Sequence, residues 1–179
     1  MKKVLCKDIN SSLFKRTWEI YTDAFKISEQ RKLENHINAL SDVRFHPYSY
    51  INESDKDLLG LFFTWEFENF SYIEYFAVNS NFRNQGIGSK ILNEQIKEHK
   101  NKPLILEITP VSDEISKRRL DFYKRNGFLE SEFLFVHLPY RKNCEQSKLQ
   151  LLSNIPIKED LYQDFIQNIN NELIQYCEL

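Results

Sequence analysis

The stretch Tyr75–Leu92, YFAVNSNFRNQGIGSKIL, places two of the chain's four glycines within three residues, directly after an apolar run. Just before and into it, YIEYFAV (72–78) is rich in aromatic and branched residues, as strands are. Beyond the glycines, Ile87, Ile91, Leu92 and Ile96 recur at helical spacing, and His99, Lys100 and Lys102 supply cations suited to a helix C-terminus. The stretch therefore reads as strand, glycine turn, helix. Such a turn aims the helix's free N–H groups at whatever lies in front of it, and an anion is the natural occupant. Gly86 and Gly88 have no Cβ to keep a bulky diphosphate off the backbone, and Arg83 adds a fixed positive charge. A glycine pair alone is equally an ordinary strand-to-helix turn. Neither of two familiar phosphate motifs is present: GIGSK lacks the glycine spacing of a P-loop, and a dinucleotide fingerprint would need glycine where Ile91 stands.

Outward from this turn, Phe14, Trp18, Tyr21 and Phe25, then Leu33, Ile37 and Leu40, predict two amphipathic helices. From Phe45 the runs FHPYSYI, DLLGLFFTWEF and YIEYFAV predict a meander of antiparallel strands. Pro103 and Pro110 bracket LILEIT, a buried central strand carrying Glu107. SDEISKRRLDFYKRNGF reads as one capped helix, with Ser112 at its N-cap and Gly127 as its stop. FLFVHLP and SKLQLL are two further strands joined by YRKNCEQ, and Leu161, Phe165, Ile169 and Leu173 at steps of four predict a last helix. No repeat or linker interrupts this order, so residues 1–179 are predicted to form a single domain.

A chain of 179 residues, 41% hydrophobic and 28% charged, is long enough to bury roughly 70% of its unfolded surface. A net charge of −2 provides no basic footprint, so nucleic acid is not an expected partner. Cys6, Cys144 and Cys177 are odd in number and far apart, which argues for reduced thiols in a cytoplasm rather than disulfides or a zinc cluster. His36, His46, His99 and His137 show no ligand spacing, so no metal is expected. The start MKKVLCKDIN is no signal peptide, and no window approaches a membrane span, so a soluble protein with no membrane partner is expected.

The arrangement R-x-x-G-x-G, Arg83 to Gly88, within this order of elements resembles the GCN5-related N-acetyltransferase (GNAT) family. The resemblance runs from Tyr72 to Phe128, through YIEYFAV, RNQGIG, the following helix, LILEI and FYKRNGF. It implies an α/β (α+β) fold with a mixed, mostly antiparallel central sheet, splayed in the middle and flanked by helices. It also implies acetyl-CoA as co-substrate. The loop amides, Asn84, Gln85, Gly86, Ile87, Gly88 and Ser89 beside Arg83, would take the pyrophosphate, and the backbone of Phe76, Ala77 and Val78 the pantetheine arm. A pantetheine is an extended, amide-bearing chain, which an unpaired strand edge can grip like an added strand.

Moving an acetyl group from a thioester to an amine needs a neutral amine, a stabilised tetrahedral intermediate and a proton for the departing thiolate. Tyr123 matches the family's general acid; its structural alternative is a core aromatic between Phe122 and Phe128. Glu74 and Glu107 match strand positions at which relatives carry a base, and strand parity puts Glu74 on the face of Tyr72, Phe76 and Val78, with Glu74 slightly favoured. Pairing with Arg118, Arg119 or a lysine is the structural alternative for either acid. Ser116 and Arg119 depart from the family pattern, and the basic run Lys117, Arg118, Arg119, Lys124 and Arg125 reads chiefly as a solvated face. Glu66, Glu68, Glu74 and Glu107 on the strands flooring the cleft predict a cationic amine acceptor, on a small molecule or a protein. A non-catalytic acyl-CoA sensor with the same fold, or a nucleotide-binding domain of another class, would lack amine-dependent thiol release. A homodimer is compatible with the sequence.

Overall fold

The computed structural model describes residues 1–137, 139–142 and 144–178. Seven strands, β1 (Lys2–Leu5), β2 (Phe45–Ile51), β3 (Leu58–Glu66), β4 (Ser71–Val78), β5 (Leu104–Ile108), β6 (Leu129–His137) and β7 (Ser147–Ser153), form one sheet in the order β1-β2-β3-β4-β5-β7-β6. All neighbours are antiparallel except β4 and β5. Five α-helices cover the sheet: α1 (Ser12–Ala24), α2 (Leu33–Ala39), α3 (Ile87–Glu98), α4 (Glu114–Arg125) and α5 (Glu159–Asn168). The mixed α/β fold with a mostly antiparallel open sheet is the one the sequence predicts. No helix among the described residues is long and apolar enough to cross a membrane.

Alternation along the strands divides the buried residues into two cores. Phe45, Leu61, Phe63, Trp65 and Tyr72 pack with Phe14 and Tyr21 of α1, Ala39 of α2 and Phe165 of α5 on one face. Tyr50, Phe62, Ile73, Leu104 and Leu106 pack with Ile91 and Leu92 of α3 and Leu120 and Tyr123 of α4 on the other. Glu74 interrupts this alternation. The register runs Phe63 to Tyr75 and then Thr64 to Ile73, so Glu74 is the extra residue of a β-bulge. Tyr72 and Tyr75 therefore share the first face, whereas Ile73 and Phe76 share the second. The parity that put Glu74 with Phe76 and Val78 is thus corrected. A period of two cannot register an inserted residue, and past it every side chain changes face.

Three further details differ from the sequence reading. Asp113, not Ser112, caps α4: its Oδ1 accepts from the Ser116 amide at 2.7 Å while Ser116 Oγ accepts from the Asp113 amide at 3.0 Å. Such a reciprocal cap contributes about 1 kcal/mol. β1 pairs with β2 although KKVL is too short to show a period. After α5 the chain passes through a π-helical turn, Ile169–Leu173. A step of four residues overshoots the α-helical turn by about 40° each time. The wider turn cancels that drift, and Phe165, Ile169, Leu173 and Cys177 all stay buried on one core.

β4 and β5 pair only at Ser71 with Leu104 and at Tyr72 with Ile105. Beyond Tyr72 the two strands part, leaving that edge of β4 without a strand partner among the described residues.

Candidate active site

The fork between β4 and β5 opens into a cavity of about 700 Å³. Its walls include Glu74, Phe76, Ala77 and Val78 of β4, Glu107 of β5, Tyr123 of α4, and Arg83, so the fold brings these sequence-predicted residues together. Asn84 to Ser89 are not among those walls; they form the turn into α3.

In that turn Asn84 and Gly86 are both left-handed, at φ +62° and +73°. A Cβ built on Gly86 would meet nothing within 4 Å, so its open side faces free space. A Cβ on Gly88 would lie 3.2 Å from the Phe122 ring and 3.3 Å from Val78 Cγ2. Gly88 therefore serves the packing of α3 against β4 and α4, while Gly86 alone leaves room in front of the turn. The first helical bond runs from Lys90 N to Gly86 O at 3.1 Å, so the amides of Ile87, Gly88 and Ser89 have no intrahelical acceptor. Arg83 Nε donates back to Val78 O at 3.3 Å, holding its charge beside the turn.

Tyr123 is buried with its ring against Phe122 and Phe128. Burial pushes its phenol up to about 12, with the charge of Glu107 adding and that of Arg119 opposing. Tyr123 is accordingly protonated throughout the physiological range. Burial also pushes the Glu107 carboxyl up, to about 8. Oε1 of Glu107 accepts a hydrogen bond from the Tyr72 hydroxyl, and Oε2 is enclosed with no partner among the described residues.

Glu74 has no such free oxygen. Its wholly buried carboxylate meets the Arg31 guanidinium through Oε1 with Nη2 at 2.5 Å and Oε2 with Nη1 at 2.6 Å. Trp65 Nε1 donates to Oε2 at 2.8 Å and the Tyr140 hydroxyl to Oε1 at 2.7 Å. Arg31, also wholly buried, lies among the rings of Tyr140, Trp65, Phe45 and Tyr176 at 5.1 to 5.9 Å. The partner of Glu74 is thus Arg31, 43 residues upstream, rather than Arg118, Arg119 or a lysine. Nothing in local spacing signals that pairing.

The acids expected along the cleft floor are redistributed. Glu66 accepts from Ser71 Oγ at 2.6 Å and faces His99 and Lys102 away from the cavity, and Glu68 is exposed in a turn. The charge pattern read from Glu66 and Glu68 is therefore corrected: strand pairing directs Glu66 to the C-terminal end of α3. Glu29 and Glu145, which the sequence reading did not single out, line the cavity instead, with Lys26 and Lys148 nearby in its walls. His137 also lines it, beside the Tyr140 ring at 4.7 Å. Of the basic run on α4, Arg119 reaches the cavity and the others face solvent, Lys124 pairing with Glu130. Among the described residues no group of three His, Cys, Asp or Glu side chains could hold a metal.

A forked sheet with an open glycine turn is a fold-level likeness until the sequence itself is matched, and residues 11–128 match the family model for the acetyltransferase (GNAT) family. The chain belongs to the GNAT family. Among its relatives, "Putative acetyltransferase YjbC" of Bacillus subtilis is 30% identical over 137 residues, covering 75% of this chain and 68% of that protein. A GNAT-family structure from Bacteroides thetaiotaomicron superposes with a TM-score of 0.87 at 24% identity, covering 97% of this chain and 98% of the other. A Bacillus subtilis acetyltransferase solved in complex with CoA superposes at 0.55, with 12% identity over 85% of this chain and 96% of that one.

Proposed function

We propose that the protein is an acetyl-CoA-dependent N-acetyltransferase acting on a primary amine. One observation carries this reading: the unpaired edge of β4, Tyr123 and Glu107 all face one cavity, in a fork whose strand β4 leads to the turn before α3. The turn fits the group, because Gly86 is open and the Ile87, Gly88 and Ser89 amides are uncommitted. The β4 backbone from Phe76 to Val78 would hold the pantetheine arm, with Arg83 and Arg119 as the cations near it. Bound acetyl-CoA supplies the acetyl group as an activated thioester. Glu107, whose enclosed Oε2 has no other partner among the described residues, takes a proton from the acceptor ammonium through one bridging water, leaving a neutral amine. As the neutral amine forms its C–N bond and the C–S bond breaks, Tyr123 gives its hydroxyl proton to the departing sulfur, and the second proton shed by the acylated nitrogen restores the phenol. Glu74 we assign to positioning rather than to proton transfer, since three hydrogen-bond donors and the Arg31 charge already occupy its oxygens.

The deciding assay is free thiol release from acetyl-CoA with and without an added amine; release that does not depend on amine would leave a cofactor-binding sensor. Gly86→Val should weaken acetyl-CoA at least about tenfold, a loss of about 1.4 kcal/mol. Because valine at positive φ is also strained, by roughly 1–2 kcal/mol, Gly86→Asn is the control, tolerating the left-handed backbone while still placing a side chain before the turn. Unchanged affinity in both folded variants would move the cofactor elsewhere.

The pH dependence has a definite sign. Glu107 must be ionised to accept a proton, so kcat/KM should rise with pH through about 8. Glu107→Gln should abolish that limb for an acceptor whose own titration lies well above it. Burial raises this carboxyl above its unfolded value, so the folded chain holds a proton between pH about 4.5 and 8 that the unfolded chain has released. Its burial therefore costs stability increasingly as pH rises through that window, and Glu107→Gln should raise Tm at pH 9 relative to the parent.

A further inference from the structure

We infer that the acceptor end of the cavity is a blind pocket that takes a small free amine whole, rather than a lysine on a polypeptide running through it. The inference rests on the acyl-transfer reading above and concerns only its acceptor. Two connecting segments wall this end: residues 26–31 between α1 and α2, which include a 3₁₀ turn at Ile27–Glu29 and contribute Lys26, Ser28 and Glu29, and residues after β6, contributing Pro139, Tyr140 and Glu145. A through-running peptide needs such walls to stand apart at both ends.

Here they are tied together at one end. Arg141 Nε donates to Gln30 O at 3.0 Å, directly from one wall to the other. Glu178 spans both: its Oε1 accepts from Lys32 Nζ at 2.7 Å, its Oε2 from the Lys142 amide at 3.3 Å, and its own amide donates to Tyr140 O at 2.9 Å. Asn35 Nδ2 donates to Cys177 O at 3.3 Å, fixing the same strap to α2. Beneath the strap lies the Arg31–Glu74 pair, to which Tyr140 is bonded and over which Tyr176 lies.

The first wall is also fixed to the floor. Tyr75 donates its hydroxyl proton to Glu29 O at 2.8 Å, the Tyr21 hydroxyl accepts from the Arg31 amide at 2.8 Å, and Gln30 Nε2 donates to Thr22 O and Phe25 O. Parting the walls would break the cross-wall bonds and disturb the buried ion pair together. The cavity of about 700 Å³ must also hold the acyl-bearing arm, so the remaining space suits a compact acceptor. Phe25, Tyr75 and Tyr140 line it with aromatic side chains that suit an apolar stem, and Glu107 offers a partner to its ammonium group.

The test compares kcat/KM by thiol release for free amines (polyamines, aminoglycosides, simple monoamines) and for lysine-containing peptides, with the parent and with Arg141→Ala/Glu178→Ala. The best free amine should exceed every peptide by at least about 100-fold in the parent. Loosening the strap should narrow that ratio at least about tenfold by raising the peptide values, with the KM for acetyl-CoA unchanged. A lysine peptide within about tenfold of the best free amine in the parent overturns the blind pocket and leaves acyl transfer standing. A double variant that changes all acceptors equally makes the strap merely structural and likewise overturns it. Acetyl-CoA binding without thiol release for any acceptor overturns the acyl-transfer reading itself, and this inference with it.

Discussion

Replacing Tyr123 with phenylalanine should lower kcat by about 10²–10⁴-fold, the usual contribution of a general acid, while acetyl-CoA affinity changes by less than about threefold. The substitution removes one oxygen and keeps the ring, whose contacts with Phe122 and Phe128 belong to the core. Stability should accordingly stay close to the parent. The shape of the pH profile should also survive, because a phenol pushed up to about 12 does not titrate in the assay range. The rising limb belongs to Glu107, so Tyr123→Phe lowers the curve without shifting it. Rates equal to the parent, under conditions where single-turnover mixing shows that thiol departure is slow, would reduce Tyr123 to a core aromatic. A shifted limb would mean that Tyr123 and Glu107 titrate as a coupled pair.

Breaking the Arg31–Glu74 pair should cost more stability than any surface substitution in the molecule. Arg31→Met leaves a wholly buried carboxylate without its cation, a loss of about 3–5 kcal/mol. For a domain of this size that corresponds to a Tm lower by roughly 6–20 °C. Arg31→Met/Glu74→Gln should recover more than half of the loss. No buried charge then remains, and the glutamine oxygen still accepts from Trp65 Nε1 or the Tyr140 hydroxyl. Losses that simply add in the double variant would show that the two side chains are not energetically coupled, contrary to their fork geometry. Loss of turnover in the destabilised single variant is uninformative on mechanism, so activity belongs to the double variant. There, a raised acceptor KM with kcat retained is the result expected of a pair that positions the cavity walls.

Local signals carried much of this molecule. The glycine turn between a strand and a helix, the proline-bracketed LILEI and the helix ending at Gly127 each appear where periodicity and turn chemistry placed them. The family likeness followed from their order, since R-x-x-G-x-G and FYKRNGF are contiguous strings whose meaning does not depend on distant residues. Tyr123, Glu107 and Arg83 could be chosen for the same reason, and the fold does set them around one cavity.

What the chain could not reveal locally was decided by pairings across long sequence separations. Glu74 was legible as an acid on a strand, but its direction depends on a bulge that exists only because β3 pairs with β4 in a register skipping one residue. Its partner Arg31 sits in a polar stretch, SEQRK, in which nothing local marks it for burial among Phe45, Trp65, Tyr140 and Tyr176. Glu66 and Glu107 look alike in sequence. One reaches His99 and Lys102 at the end of α3, whereas the other is enclosed at the fork, where burial raises its affinity for a proton. The order of elements and the open glycine turn were thus determined by the sequence itself, because backbone conformation and hydrophobic period are local properties. Which carboxylate is neutralised, which is enclosed without a cation, and where the cavity's walls meet were decided by tertiary structure alone, because desolvation and charge pairing depend on what else occupies the surrounding few ångströms.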